Sequence, residues 1–198
     1  LNVLPKTNFE SVEQLREAFK NHDTLIIDAT ELVIQRPQDK EVQKEHHSGK
    51  KKLNTFKNTV IATLDYYILY IGCTFPGKNH DYGMFKKEFD PKLKWFETFN
   101  ILVDLGYKGF DKDYKTNGIS IPHKKPRKSK NNPNPKLTQA QKDENKEMSR
   151  KRVIVENVIA GMKRLKCVSD RYRNHIEELK DVFILLAAGM WNFNVSSR

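Results

Sequence analysis

Two short apolar runs in this chain, Leu25-Ile-Ile-Asp28 and Ile101-Leu-Val-Asp104, each stop on an aspartate. Runs this short and this apolar predict buried strands rather than helices, so each acid is carried at the end of a rigid element. A third acid belongs to a helix. Within Ser149-Arg-Lys-Arg-Val-Ile-Val-Glu-Asn-Val-Ile-Ala-Gly-Met-Lys163, the residues Arg152, Glu156 and Lys163 lie four and then seven positions apart. At 3.6 residues per turn those offsets put all three on one narrow strip. Three carboxylates on three rigid elements are what a two-metal phosphoryl-transfer site requires.

Each acid taken alone has a plainer reading. Asp28 and Asp104 can cap the turns that follow them. Glu156 sits at the edge of the face formed by Val155, Val158, Met162 and Leu165, where Arg152 and Lys163 can pair with it as an ordinary salt-bridged strip. The sequence pattern by itself leaves both readings open.

The elements around the acids read as a mixed α/β domain, one sheet covered by helices. Residues 11–20 form a short helix with Val12, Leu15 and Phe19 on one side. A strand over 24–29 ends at Asp28, and 31–52 reads as a long polar loop or ragged edge strand. Residues 56–64 and 67–75 are rich in β-branched and aromatic residues and read as two strands. Asp81 caps a helix through Met84, Phe85 and Phe89. His80 beside it is a surface neighbour of that cap, and His46-His47 reads as a loop pair. A strand over 99–103 precedes Asp104.

Residues 111–137 are basic and rich in Pro and Asn, and read as a short strand followed by an inserted loop. Thr138 and Gln141 form a capping box that opens a long helix reaching about Lys166. A last helix sets Ile176, Leu179, Phe183, Leu186, Met190 and Phe193 on one stripe, read as its buried face. Cys73 and Cys167 lack zinc-ligand spacing and read as buried free thiols.

The net charge is +11, which points to an acidic partner, with nucleic acid ahead of an anionic membrane surface. No run is long and apolar enough to span a bilayer, and no amphipathic surface helix favours a membrane. Lys50, Lys51 and Lys52, and the run containing Lys124 and Lys125, are candidate backbone-contacting cations. A solvated loop explains the second run equally well.

At these residues the chain resembles the DDE transposases of bacterial insertion sequences, in the insertion-sequence-five and Harbinger-like group. Four blocks carry the resemblance: Ile27-Asp28-Ala-Thr-Glu31 with Gln35-Arg36-Pro37; Ser48-Gly-Lys-Lys-Lys52 followed by Thr55-Phe-Lys-Asn58; Pro76-Gly-Lys-Asn-His-Asp81 followed by Asp104-Leu-Gly-Tyr107; and Asn145 with the segment from Arg152 through Glu156 to Lys163. Together they cover most of residues 24–175. The last block is similar to a Tyr-Arg-Glu-Lys signature, with Ser149 where that signature has its tyrosine.

The resemblance implies an RNase H-like fold in which the strands carrying the first two acids are neighbours and a later helix brings the third. It implies that Asp28, Asp104 and Glu156 are the catalytic and metal-holding triad, with two Mg²⁺ or Mn²⁺ ions. Asp81 matches a recurrent acid outside that triad. Arg152 and Lys163 would contact phosphate near the cut.

The implied function is metal-dependent strand cleavage at element ends and transfer of the 3′-hydroxyl into target DNA. The alternatives are an endonuclease of the same fold without strand joining, and an inactive DNA-binding remnant. The implied partners are element and target DNA, with homo-oligomers forming on DNA in the bacterial cytoplasm at the nucleoid. The expected organisation is a lead-in helix over 1–23 and a catalytic domain over 24–198 that includes the basic loop. The family's helical DNA-recognition domain has no counterpart before Leu25.

Overall fold

The structure, a computed structural model, describes residues 3–128, 133–174, 176 and 178–197. In chain order the elements are α1 (Val12–Phe19), β1 (Thr24–Val33), α2 (Lys40–His46), β2 (Thr55–Thr63), β3 (Ile68–Ile71), β4 (Phe75–Pro76), α3 (Asp81–Glu88), β5 (Asn100–Leu102), α4 (Phe110–Asp113), β6 (Gly118–Ser120), α5 (Gln139–Met162), α6 (Lys166–Ser169) and α7 (Glu178–Ser196). The sheet runs β3-β2-β1-β5-β6, with β4 pairing β2. β1 is antiparallel to β2 and parallel to β5, and β5 is parallel to β6. This is the mixed α/β, RNase H-like arrangement.

Strand alternation builds the two layers. Leu25, Ile27 and Ile101 point to a core shared with α1, α3 and α4, where Phe85, Phe89, Phe96 and Phe110 pack ring against ring. Ile26, Val60, Ala62 and Leu102 point to the opposite core, closed by Val155, Val158 and Met162 of α5 and by α7. Burying a large apolar side chain contributes about 1.5–3 kcal/mol, so both faces hold the sheet firmly.

Several elements differ from the sequence reading. β1 does not stop at Asp28 but continues to Val33, because β2 pairs with it along its whole length. The polar stretch after it contains α2, whose N-cap Asp39 accepts from the amides of Glu41 and Val42. Asp81 is the first residue of α3 rather than its cap, and the position before it, His80, makes no side-chain cap. The capping box at Thr138 and Gln141 is present, but α5 ends at Met162, and the separate α6 follows. Both cysteines are free and exposed. The loop reading over 111–137 includes 129–132, which lie outside the described residues.

The last helix is turned around. Ile176, which precedes α7, and Leu186, Met190 and Phe193 on it face solvent, each about half exposed. The buried positions are Ile184, Ala187, Ala188, Gly189, Trp191 and Asn192, and all but Gly189 recur at i, i+3, i+4, i+7 and i+8. Small residues there let α7 approach the sheet closely. Asn192 completes the fit: its Oδ1 accepts from Ile68 N at 2.8 Å and its Nδ2 donates to Ile68 O at 2.8 Å. Phe183 of the predicted stripe does pack against this core, but Leu186, Met190 and Phe193 mark the outer side of a helix that is apolar on two sides.

Candidate active site

The sheet register dictates where the first two acids meet. β1 and β5 pair Thr24 with Asn100, Leu25 with Ile101 and Ile26 with Leu102. Continuing that offset sets Asp28 opposite Asp104, just where β5 ends. Each acid is two residues beyond a member of the α5-side core, so both lie on the face that α5 covers. α5 carries Arg152, Glu156 and Lys163. The result is a cleft of about 330 Å³ lined by Asp28, Glu31, Asp81, Asp104 and Glu156 and by Lys50, Lys51, Lys57, Arg152 and Lys163. Five acids and five cations share its wall.

Local hydrogen bonds fix the acids. Asp28 Oδ1 accepts from Ala29 N at 2.8 Å, and Asp104 Oδ1 accepts from Gly106 N at 2.6 Å. A Cβ at Gly106 would sit 2.7 Å from that same oxygen, so the tight turn behind Asp104 needs glycine. Asp81 Oδ1 accepts from Lys57 Nζ at 2.9 Å. Glu31 Oε1 accepts from Thr55 Oγ1 at 2.6 Å, and Glu31 O accepts from Lys163 Nζ at 2.9 Å.

Burial pushes the Asp28 carboxyl up to about 6, the Ala29 amide pulls it down, and the Asp104 charge adds to the rise. Burial pushes the Lys163 ammonium down to about 8, helped by Lys51, with Glu31 and Asp28 opposing. Arg152 Nη2 lies 3.9 Å from Asp104 Oδ2 and 3.9 Å from Glu156 Oε1.

The donor chemistry suits a hard divalent cation, since every acid in the cleft offers carboxylate oxygen. Burial and the Asp104 charge both work against an ionised Asp28, an effect that a bound cation would offset. Among the described residues, no three His, Cys, Asp or Glu side chains stand close enough to hold one ion as placed. The Glu156 side chain is 60% exposed and turned toward Arg152.

A family profile described as DDE superfamily endonuclease matches residues 27–192. The chain belongs to that superfamily. It is also 30% identical over 199 residues to a protein named "Probable transposase for insertion sequence element IS702" from Microchaete diplosiphon, an alignment covering 98% of this chain and 67% of that relative. No solved structure matches.

Within this DDE domain the sequence-derived residues separate into groups. Asp28, Asp104, Glu156, Arg152, Lys163, Lys50 and Lys51 line one cleft. Lys52 lines a neighbouring groove instead. Lys124 and Lys125 are exposed and are not among the residues lining the cleft. Their segment is anchored to α5, because Asn145 accepts from His123 N at 2.7 Å and donates to His123 O at 3.0 Å. Ser149, in the signature tyrosine's place, is exposed on α5.

The sequence reading missed the pair of Lys57 and Asp81 and the neighbouring Glu31. A signal was present: Lys57 interrupts a strand that is otherwise nearly all buried, and a charge there requires a partner. Glu31 and Lys57 are direct cross-strand neighbours in the register. Among the described residues no helix is long and apolar enough to cross a membrane.

Proposed function

We propose that this chain cuts DNA at the ends of an insertion sequence and joins the freed 3′-hydroxyl to target DNA, with Asp28, Asp104 and Glu156 as its catalytic acids. The observation that carries this is that Asp28 and Asp104, each two residues beyond the last β1–β5 pair, line one cleft with Glu156 of α5. In the first reaction water attacks a phosphodiester and one strand is cut. In the second the 3′-oxygen attacks a target phosphodiester in line, and the displaced strand end leaves as its own 3′-hydroxyl. No covalent enzyme intermediate is needed, so no Ser, Tyr or Cys nucleophile is assigned.

Asp28, Asp104 and Glu156 would hold Mg²⁺ or Mn²⁺, which supplies nucleophile activation and neutralises charge on the phosphoryl group. For Glu156 to join the other two, its side chain leaves Arg152, a rotamer change open to an exposed helix residue. Arg152, Lys163, Lys50 and Lys51 bind phosphate oxygens and fix the strand against the acids. Such positioning, rather than a tuned pKa, dominates phosphoryl transfer.

The test is a cleavage assay with Mn²⁺ on DNA bearing the element's ends, followed by strand joining with pre-cut ends. Asp28→Ala, Asp104→Ala and Glu156→Ala are each expected to lower cleavage by at least ~10³-fold while DNA affinity stays within a few fold. Full cleavage by any one variant removes that residue from the triad. Cleavage without joining by the wild type makes the chain an endonuclease only.

A further inference from the structure

Beside the acid cleft lies a second depression, about 600 Å³, whose charge is all of one sign. Arg36, Lys40, Lys44, Lys52 and Arg171 line it together with His47, and none of its lining residues is acidic. It is built by α2, the element inserted between β1 and β2, and by the chain just after α6. Lys44 is paired with Glu41 on its own helix at 2.7 Å. Among the described residues Lys40, Lys52 and Arg171 have no acidic partner. In the acid cleft the cations share the wall with five acids; here the positive charge is left for something outside the chain.

The two depressions share a wall, the turn after α2. Ser48 is buried and ties the turn together: its amide donates to Leu53 O at 2.8 Å, its carbonyl accepts from Lys52 N at 2.8 Å, and its Oγ accepts from Lys51 N at 3.1 Å. The turn distributes its lysines. Lys50 and Lys51 line the acid cleft, whereas Lys52 lines the groove. Lys52 adopts φ 57°, a left-handed conformation that a residue with a Cβ takes only under constraint. At this residue the turn parts its lysines, one to the groove and two to the cleft.

Resting on the reading of the cleft as a DNA-cutting site, we propose that this groove is a second backbone site for the same DNA. It receives phosphates of the duplex flanking the scissile bond, and the turn carrying Lys50, Lys51 and Lys52 is the ridge the backbone crosses between the two. Nucleic acid fits better than an acidic polypeptide because the groove continues directly from a phosphate-handling cleft, and a duplex presents one negative charge per about 1.7 Å of its axis.

The experiment measures affinity against salt concentration without divalent ions, so that nothing is cut, for duplexes of about 40 and about 10 base pairs. The proteins are the wild type, the triple variant Lys40→Ala/Lys44→Ala/Arg171→Ala, and Asp28→Ala, with thermal melting as the check on folding. All three triple-variant positions are exposed.

Each phosphate contact contributes about 0.9 to the log–log salt slope, so the triple variant is expected to lose about 2–3 from its slope on the long duplex and little on the short one. Hydroxyl-radical protection should shrink on one flank only, and Asp28→Ala should keep the full footprint. An unchanged slope and footprint in a folded triple variant overturns the groove. So does polyglutamate that binds the wild type more tightly than DNA does and fails to bind the triple variant, since that assigns the groove to an acidic protein. If the wild type never cuts DNA yet the slope falls as expected, the groove stands and the cutting function does not.

Discussion

Arg152 reaches from α5 to the end of β5, its Nη2 3.9 Å from Oδ2 of Asp104. The same nitrogen lies 3.9 Å from Glu156, so one guanidinium stands between two acids assigned to the proposed metal set. Arg152→Ala removes a competitor for divalent cations. Both acids are partly solvated, so the gain is modest, about threefold to tenfold tighter Mn²⁺ binding. Titration followed by electron paramagnetic resonance reads it. Weaker Mn²⁺ binding would mean that Arg152 holds the acids in place instead.

Lys163 provides a pH dependence. Its ammonium is depressed to about 8 by burial and by Lys51, below the 10.5 of an exposed lysine. Folding therefore favours the neutral form. The stability linked to this group is absent below pH 8 and grows as pH rises from there toward 10.5. DNA favours the charged form. Wild-type affinity for DNA is expected to fall between pH 7 and 9, with the salt slope shrinking by about 0.9. Lys163→Arg, charged throughout, is expected to show a flat profile. Equal pH dependence in both proteins would separate Lys163 from phosphate binding.

Glu88 lies on the other face of the sheet. Burial raises its carboxyl to about 7, with the Cys73 thiol, which donates to it, pulling the other way. A carboxyl whose folded value exceeds its unfolded one stabilises the fold at low pH, and that contribution disappears as pH rises through the window from 4.5 to 7. The loss is on the order of 3 kcal/mol as an upper bound. Glu88→Gln is expected to melt higher than wild type at pH 8 and to show no advantage at pH 4. A higher melting temperature at both pH values would point to packing rather than charge.

Gly161 sits where α5 crosses α7, and a Cβ there would stand 1.9 Å from the Trp191 ring. The ring cannot swing aside freely, because Trp191 Nε1 donates to Tyr66 O at 2.7 Å. Gly→Ala in a helix usually stabilises by about 0.5–1 kcal/mol. Here overpacking dominates, and Gly161→Ala is expected to destabilise by about 1–3 kcal/mol. Calorimetry decides; a raised melting temperature would mean that the indole shifts at no cost.

Much of this was legible in the sequence for identifiable reasons. Asp28 and Asp104 end apolar runs, and strand alternation carries their direction. Glu156 could be placed because helical spacing ties it to Arg152 and to the buried Val155. For the pair of Lys57 and Asp81 only half was legible: a lysine in an otherwise apolar strand asks for a partner, but nothing local names Asp81, which α3 brings across the sheet face. The groove was missed for a similar reason: Arg36 and Arg171 are far apart in sequence and meet only after β1 and α6 are in place. α2 was hidden because its seven residues bury no side chain, leaving no periodic signal.

The outward stripe of α7 gives the molecule two unlike sides. From Val182 to Ser197 the sequence carries no charge, while the chain as a whole is at +11. At low ionic strength mutual repulsion keeps copies apart and leaves that ridge bare. Salt that strips a polyanion from the cationic residues also screens the repulsion, whereas an apolar contact between two such ridges would not be weakened. Self-association is therefore expected to be strongest at salt concentrations that release a polyanion, and weakest with one bound.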